Sequence, residues 1–357
     1  MTTGIYIHIP YCISKCDYCD FLSFPLKTPN EYVDALIKEI KSSQITTKID
    51  TLYIGGGTPT ALPSPLLCKI INTAKELPLL PNAEITVEAN PGTLTAEYLK
   101  ALKHCGVNRL SFGLQTTHPH LLKLINRKHT KEEFLQNYAT AIDVGINNIN
   151  IDLMFALPTQ TLKEWQETLE EVITLSPQHI SAYSLTPAEN TPLYTALENN
   201  KLTLPTDEVD RNMYHTAIEM LKKAGFIHYE ISNFAKPNHK SQHNINCWKR
   251  VPYIGFGLGA HSFDGKNRWY NTENMANYIN SNEKKEGIQS ISESEALLES
   301  IILGLRLSEG INENLTINHK PTVQNLIKNG LLVQNGSNIK LTAKGMDLAN
   351  QVFTAFL

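Results

Sequence analysis

The chain has 357 residues, 41% of them hydrophobic and 19% charged, with a formal net charge of −3. That length supports one large domain plus a smaller one, and the well-mixed charge lacks the basic footprint of a nucleic-acid-binding protein. No apolar run reaches the roughly 20 residues of a membrane span, and no basic-then-apolar leader precedes the first strand-like run, so a cytoplasmic protein is expected. Six cysteines in so long a chain do not make a disulfide scaffold; clustered thiols point instead to metal or redox chemistry in a reducing compartment.

Strand-like runs occupy residues 5–9, 51–54, 84–88, 109–113, 148–154 and 179–184, with helix-like patterns between them. Ser64-Pro65 puts proline at a first helical position. Thr130…Glu133 and Thr161…Glu164 fit capping boxes, in which each side chain satisfies a backbone donor at the other end. Gly106, Gly145 and Gly225 follow helical patterns, as left-handed caps do. Strands separated by crossover helices make a parallel sheet, and at least six such units predict a full or partial barrel; an open doubly wound sheet is the competing topology.

The unusual residues gather where these strands end. Cys12, Cys16 and Cys19 follow the first strand, Gly55-Gly56-Gly57-Thr58-Pro59 the second, and Glu88-Ala89-Asn90-Pro91 the third. Gln115 follows the fourth, and Asp152 lies near the end of the fifth. Barrels of this class carry their active sites at the C-terminal ends of the strands, so five consecutive units aim polar or glycine-rich chemistry at one face.

From about Ala188 the pattern becomes irregular, and residues 229–269 read as loop-rich. Beyond about Ser290 the order is helix at 295–307, helix at 323–328, a short hairpin turning at Asn335-Gly336, and a final helix from Thr342. That order resembles a winged-helix module, but the turn 334–338 carries no cation, so packing or partner docking is expected over DNA binding. The expected division is a core at residues 1–230, a connecting region at 231–289 and a winged-helix-like module at 290–357.

Thiolates suit zinc or iron–sulfur clusters. Structural zinc takes four ligands, usually as two close pairs, whereas the spacing here is C-x3-C-x2-C and the other three cysteines are scattered. A four-iron cluster normally takes four cysteines; one held by three leaves an iron open to an outside ligand. Cys12-x3-Cys16-x2-Cys19, with Tyr18 just before the third cysteine, resembles the signature of radical S-adenosylmethionine (SAM) proteins. The resemblance implies an α/β fold, a partial (βα)6 TIM-like barrel with the C-terminal α+β module, carrying a [4Fe–4S] cluster on Cys12, Cys16 and Cys19.

Tyr6-Ile-His8-Ile-Pro10, residues 55–60, Glu88–Gly92, Arg109–Gln115, Asn126-Arg127 and Asp152-Leu-Met resemble the branch containing oxygen-independent coproporphyrinogen III dehydrogenase. By that resemblance SAM would be held by Tyr6, Tyr18, Gly56, Gly57, Thr58, Glu88, Gln115, Arg127 and Asp152. The chemistry is apt: the two acids can accept from an ammonium or from ribose hydroxyls, and Arg127 can pair a carboxylate. The dehydrogenase has a further cysteine two positions after the third cluster ligand, where this chain has Phe21, and it has a longer N-terminal extension. Both departures match instead the sister group, the HemW haem chaperones. Residues 229–237, Ser241–Trp248 and the run Gly255-x-Gly257-x-Gly259 resemble that group's haem-holding region, with His243 as the implied iron ligand; Cys247 replaces the group's tyrosine and is a second axial candidate, and His8, His239 and His261 are rivals. The implied function is delivery of haem, as cargo, to acceptor haemoproteins such as respiratory enzymes, with an electron donor for the cluster and peripheral membrane contact where the acceptors are membrane-bound. The alternative is a coproporphyrinogen III dehydrogenase or another radical SAM oxidoreductase of porphyrin metabolism.

Overall fold

A computed structural model describes residues 2–357. Six parallel strands follow one another in sheet order: β1 (Thr3–Ile9), β2 (Ile49–Gly56), β3 (Leu79–Ala89), β4 (Arg109–Gln115), β5 (Asn148–Phe155) and β6 (His179–Ser184). This monotonic order is that of a barrel and excludes the doubly wound alternative, whose order reverses partway. Alternation along each strand sets the two faces. Ile5, Ile7, Leu52, Ile54, Val87, Leu110, Phe112, Ile151 and Ile180 form one buried apolar cluster with residues of the crossover helices. The intervening positions carry Tyr6, His8, Tyr53, Glu88, Arg109, Ser111, Asn150, Asp152 and His179. The barrel is therefore apolar outside, under its helices, and polar inside.

The helices begin much as the sequence indicates. Both capping boxes form, at Thr130 with Glu133 and at Thr161 with Glu164, and Gly106, Gly145 and Gly225 have φ of 95°, 84° and 82° after their helices. The helix Ser64–Ala74 starts one residue earlier than read, so Pro65 is its second helical residue and Pro63 its cap.

The stretch read as irregular is a correction. It supplies six further strands: β7 (Ile227–Glu230), β8 (Asn233–Ala235), β9 (Tyr253–Phe256), β10 (His261–Phe263), β11 (Asn267–Asn271) and β12 (Lys285–Ser290). Strand β8 pairs antiparallel with β6, while β9 pairs parallel with β1 and leads into the antiparallel run β10–β12, giving a twelve-stranded sheet. These strands are three to six residues long, too short for a period of two to stand out. The glycine run is needed for close approach: a Cβ on Gly255 would lie 2.2 Å from the His261 carbonyl oxygen, and one on Gly257 2.6 Å from that of His8.

At the C-terminus, helix Glu293–Leu305, helix Lys320–Lys328 and the hairpin Leu332–Asn335/Asn338–Leu341 surround a second apolar cluster that includes Ile301, Val323, Leu332, Ile339 and Val352. This is the expected winged-helix-like arrangement, with Ile311–Asn312 as a third strand. Among the described residues no helix is long and apolar enough to cross a membrane. The helix Leu162–Thr174 gives a test of the local logic: replacing its N-cap Thr161 by Ala removes the hydroxyl that accepts from the Glu164 N–H and should lower stability by about 1 kcal/mol in urea denaturation.

Candidate functional site

The C-terminal ends of the barrel strands and the cysteine loop enclose a cavity of about 410 Å³. It is lined by Cys12, Cys16, Cys19, Tyr18, Gly56, Gly57, Thr58, Glu88, Gln115, Arg127 and Asp152. Eleven residues singled out across 140 positions of sequence thus face one space. Tyr6 lies just beneath, its hydroxyl 3.0 Å from His8 Nδ1 and its ring 6.3 Å from that of Tyr53.

The loop after β1 is held by backbone bonds. Thr58 N–H donates to the Tyr11 carbonyl at 2.7 Å, Gly57 N–H to that of Ile9 at 2.9 Å, and Cys19 N–H to that of Cys16 at 3.2 Å. Gly57 explains the glycine run of β2: a Cβ there would lie 2.7 Å from the Tyr11 oxygen and 3.0 Å from Cys12 Sγ. Arg127 crosses to the loop from the segment after β4. One of its amino groups lies 3.5 Å from Cys16 Sγ; the other donates to the Gly113 carbonyl and, at 2.8 Å, to Asn90 Oδ1. Asn90 in turn donates to Thr58 Oγ1 at 2.8 Å, and Thr58 lies 3.5 Å from Cys12 Sγ. The sequence motif assigns Asn90 no role; its bridge between Thr58 and Arg127 depends on contacts 32 and 37 residues apart.

Two carboxylates stand on the opposite wall. Glu88 accepts from the Tyr53 hydroxyl at 2.7 Å and from Gly56 N–H at 3.2 Å. Burial, with a smaller contribution from the nearby Asp152 charge, pushes its carboxyl up to about 7. Asp152 accepts from Ser111 Oγ at 2.9 Å and from Asn150 Nδ2 at 2.8 Å. Asn150 is fixed by His179 Nδ1 at 2.6 Å, and His179 Nε2 meets the Tyr229 hydroxyl at 2.8 Å. Burial drives His179 well below the ordinary histidine range, so it stays neutral, with one nitrogen donating and the other accepting. Gln115 holds a left-handed φ of 71°, next to a register shift between β4 and β5, and faces the cavity from that bulge.

The donor set fits a thiolate-held cluster. Cys12, Cys16 and Cys19 are free and half-buried, and all three line the same cavity. Cys68 and Cys105 lie in the core between helices, and Cys247 lies on the helix Gln242–Trp248. Arg127 Nε is buried without a partner, an unspent donor behind the cavity wall.

His243 is not brought to this cavity. It is 7% exposed, its Nδ1 lies 2.9 Å from Thr51 Oγ1, and its ring stacks on Tyr53 at 5.0 Å. Burial, aided by the Arg109 charge, pushes it down to about 4. In this arrangement the implied haem ligand is a packed residue plugging the N-terminal end of the barrel, and ligation would require its ring to leave Tyr53. Cys247 is half-buried, its thiol pushed up to about 11 by burial. His8 and His261 also stand apart, His8 inside the barrel against the Leu22 carbonyl at 2.9 Å and His261 exposed beside Tyr270.

A barrel whose first loop presents three cysteines to a cavity of strand-end acids, glycines and an arginine defines a radical SAM protein, and residues 6–172 match the model of the Radical SAM superfamily. Residues 291–348 match that of the HemN C-terminal domain. The chain belongs to the HemW heme chaperone family. It is 36% identical to the heme chaperone HemW of Bacillus subtilis over 99% of this chain and 98% of that protein. It is 38% identical to the Escherichia coli heme chaperone HemW over 72% of this chain and 69% of that protein. Among solved structures, coproporphyrinogen III oxidase (HemN) from Escherichia coli, described as a radical SAM enzyme, superposes with a TM-score of 0.86 at 22% identity, covering 99% of this chain and 90% of that one. That likeness establishes the fold.

Glu88 gives a testable pH dependence. Its folded value of about 7 lies above the ordinary 4.5, so between those values the folded chain keeps a proton that the unfolded chain has lost. Stability therefore falls as pH rises through that window. Glu88→Gln should remove the fall, gaining roughly 1–3 kcal/mol on wild type at pH 8 relative to pH 5 in urea denaturation.

Proposed function

We propose that the chain is a haem chaperone that binds haem and passes it to acceptor haemoproteins such as respiratory enzymes, and that it carries a SAM-ligated [4Fe–4S] cluster. Cys12, Cys16 and Cys19 would hold the cluster. Such a cluster with SAM supplies one-electron cleavage of a sulfonium bond, given an electron donor. The chain's own residues would bind and orient the cofactor. Glu88 and Asp152 accept hydrogen bonds from an ammonium or from ribose hydroxyls, Arg127 and Thr58 secure the carboxylate side, and Gly56 and Gly57 allow close approach. Tyr18, Gln115 and, from beneath, Tyr6 close the space against water.

The observation that supports this reading is the cavity itself, lined by three cysteines, two acids and an arginine, in a chain 36% identical to a heme chaperone over 99% of its length. Phe21, 61% exposed where the resembling dehydrogenase has a cysteine, speaks against coproporphyrinogen decarboxylation. On this reading the cofactor core runs from the first strand to about residue 230, the strands within 231–289 extend its sheet, and 290–357 would be a docking module, supported by its own apolar cluster. The chain would work in the cytoplasm, meeting the membrane surface where acceptors are respiratory complexes.

The test is anaerobic reconstitution followed by separate addition of haem and of coproporphyrinogen III, each with SAM and reductant. Stable haem uptake, transfer to an apo-haemoprotein and unchanged coproporphyrinogen are expected. Formation of protoporphyrinogen would overturn the reading.

A further inference from the structure

If the chain carries haem while His243 is packed beneath Tyr53, the cargo needs another surface. A second cavity, of about 590 Å³, lies on the outside of the barrel. It opens between the helix Pro29–Ser42 and strands β9 and β11; Glu39 of that helix accepts from Asn271 Nδ2 of β11 at 2.7 Å and closes the inner end. The volume is in the range of sites that enclose a cofactor-sized molecule.

Its walls are apolar and partly aromatic: Ile45, Ile254, Phe256 and Trp269 line it, with Phe256 and Trp269 largely buried. Its rim carries Lys38 and Lys285; Lys284 is engaged by the Tyr278 and Ser281 carbonyls, and the lining carboxylate of Glu39 is taken up by Tyr278, Asn271 and the Gly257 N–H. The Lys285 ammonium sits 4.5 Å over the Trp269 ring, and Lys38 Nζ lies 2.8 Å from Asn282 Oδ1. An apolar slot with an indole face and two rim cations, Lys38 and Lys285, complements a flat, hydrophobic molecule bearing two carboxylates at its edge. A tetrapyrrole with two propionates has that form. None of the described lining residues is a histidine, cysteine, methionine or tyrosine, so the slot would grip the macrocycle and its carboxylates and leave the iron free of a protein ligand.

We propose that this slot is the haem site, and that it recognises the porphyrin and not the iron. Cargo held without an axial bond can be released to an acceptor that supplies one. The helix that walls the slot also reaches the cofactor end of the barrel. Tyr32, on the same helix, donates to the His8 carbonyl at 2.6 Å, and His8 Nε2 meets the Leu22 carbonyl at 2.9 Å, just beyond the cysteine loop.

This inference rests on the haem-chaperone reading, and the experiment separates the two. The full chain is titrated with haem and with iron-free protoporphyrin IX, following absorbance and tryptophan fluorescence. Both ligands should bind within about threefold of each other. Trp269→Leu should weaken both at least tenfold, and so should Lys38→Glu with Lys285→Glu, two exposed positions whose reversal leaves the core intact. His243→Ala should change neither affinity by more than twofold. Haem binding without protoporphyrin binding, or haem affinity that resists both slot variants, would overturn the slot and leave the chaperone reading standing. No binding of haem by the wild-type chain would overturn both.

Discussion

Everything at the candidate site depends on the two-sidedness of six parallel strands. Each buries alternate aliphatic residues under helices and turns the residues between them into the barrel. Parallel strands are normally apolar on both faces because both are buried. Here the inner face carries Tyr53, Glu88, Arg109, Ser111, Asn150, Asp152 and His179, and the cost of burying them must be met by hydrogen bonds. The chain from Tyr229 through His179 and Asn150 to Asp152 meets it link by link. Thr86 Oγ1, Arg109 Nε and Arg127 Nε remain without partners, and a raised Glu88 carboxyl is a further penalty. A barrel selected for stability alone would gain by replacing such groups with aliphatic ones. A barrel that must orient a polar cofactor has reason to keep them.

The second constraint is room. Cβ atoms added at Gly55, Gly57 and Gly113 would lie within 3.0 Å of the Glu88 carboxyl, the Tyr11 oxygen and the Arg127 guanidinium respectively. These glycines let cavity-wall groups come nearer than side chains would allow. The loop, the β2 end and the arginine segment therefore form one tightly fitted wall around the cysteines.

Much of this was legible because the relevant signals are local. Capping boxes span four residues, the cysteine spacing eight, and the barrel strands are long enough for alternation to register. Residue 152 could be placed near its neighbours because strand ends share a face. What sequence reading missed depends on distant pairs. The added strands β7–β12 are short, and the pairings that join them to the barrel, β8 with β6 and β9 with β1, link positions far apart along the chain. The role of Asn90 is set by Thr58 and Arg127. His243 is the implied iron ligand by resemblance, yet Thr51, 192 positions earlier, and Tyr53 determine its environment; no local pattern carries that information.

The central proposal is that Cys12, Cys16 and Cys19 would hold a cluster at the cavity lined by Glu88, Asp152 and Arg127. Electron paramagnetic resonance of the reconstituted, reduced protein tests it most directly. With about four iron per chain, the account predicts a reduced-cluster signal whose g-values shift when SAM is added, with the shift weakened in Asp152→Asn. A cluster signal that SAM leaves unchanged would contradict it.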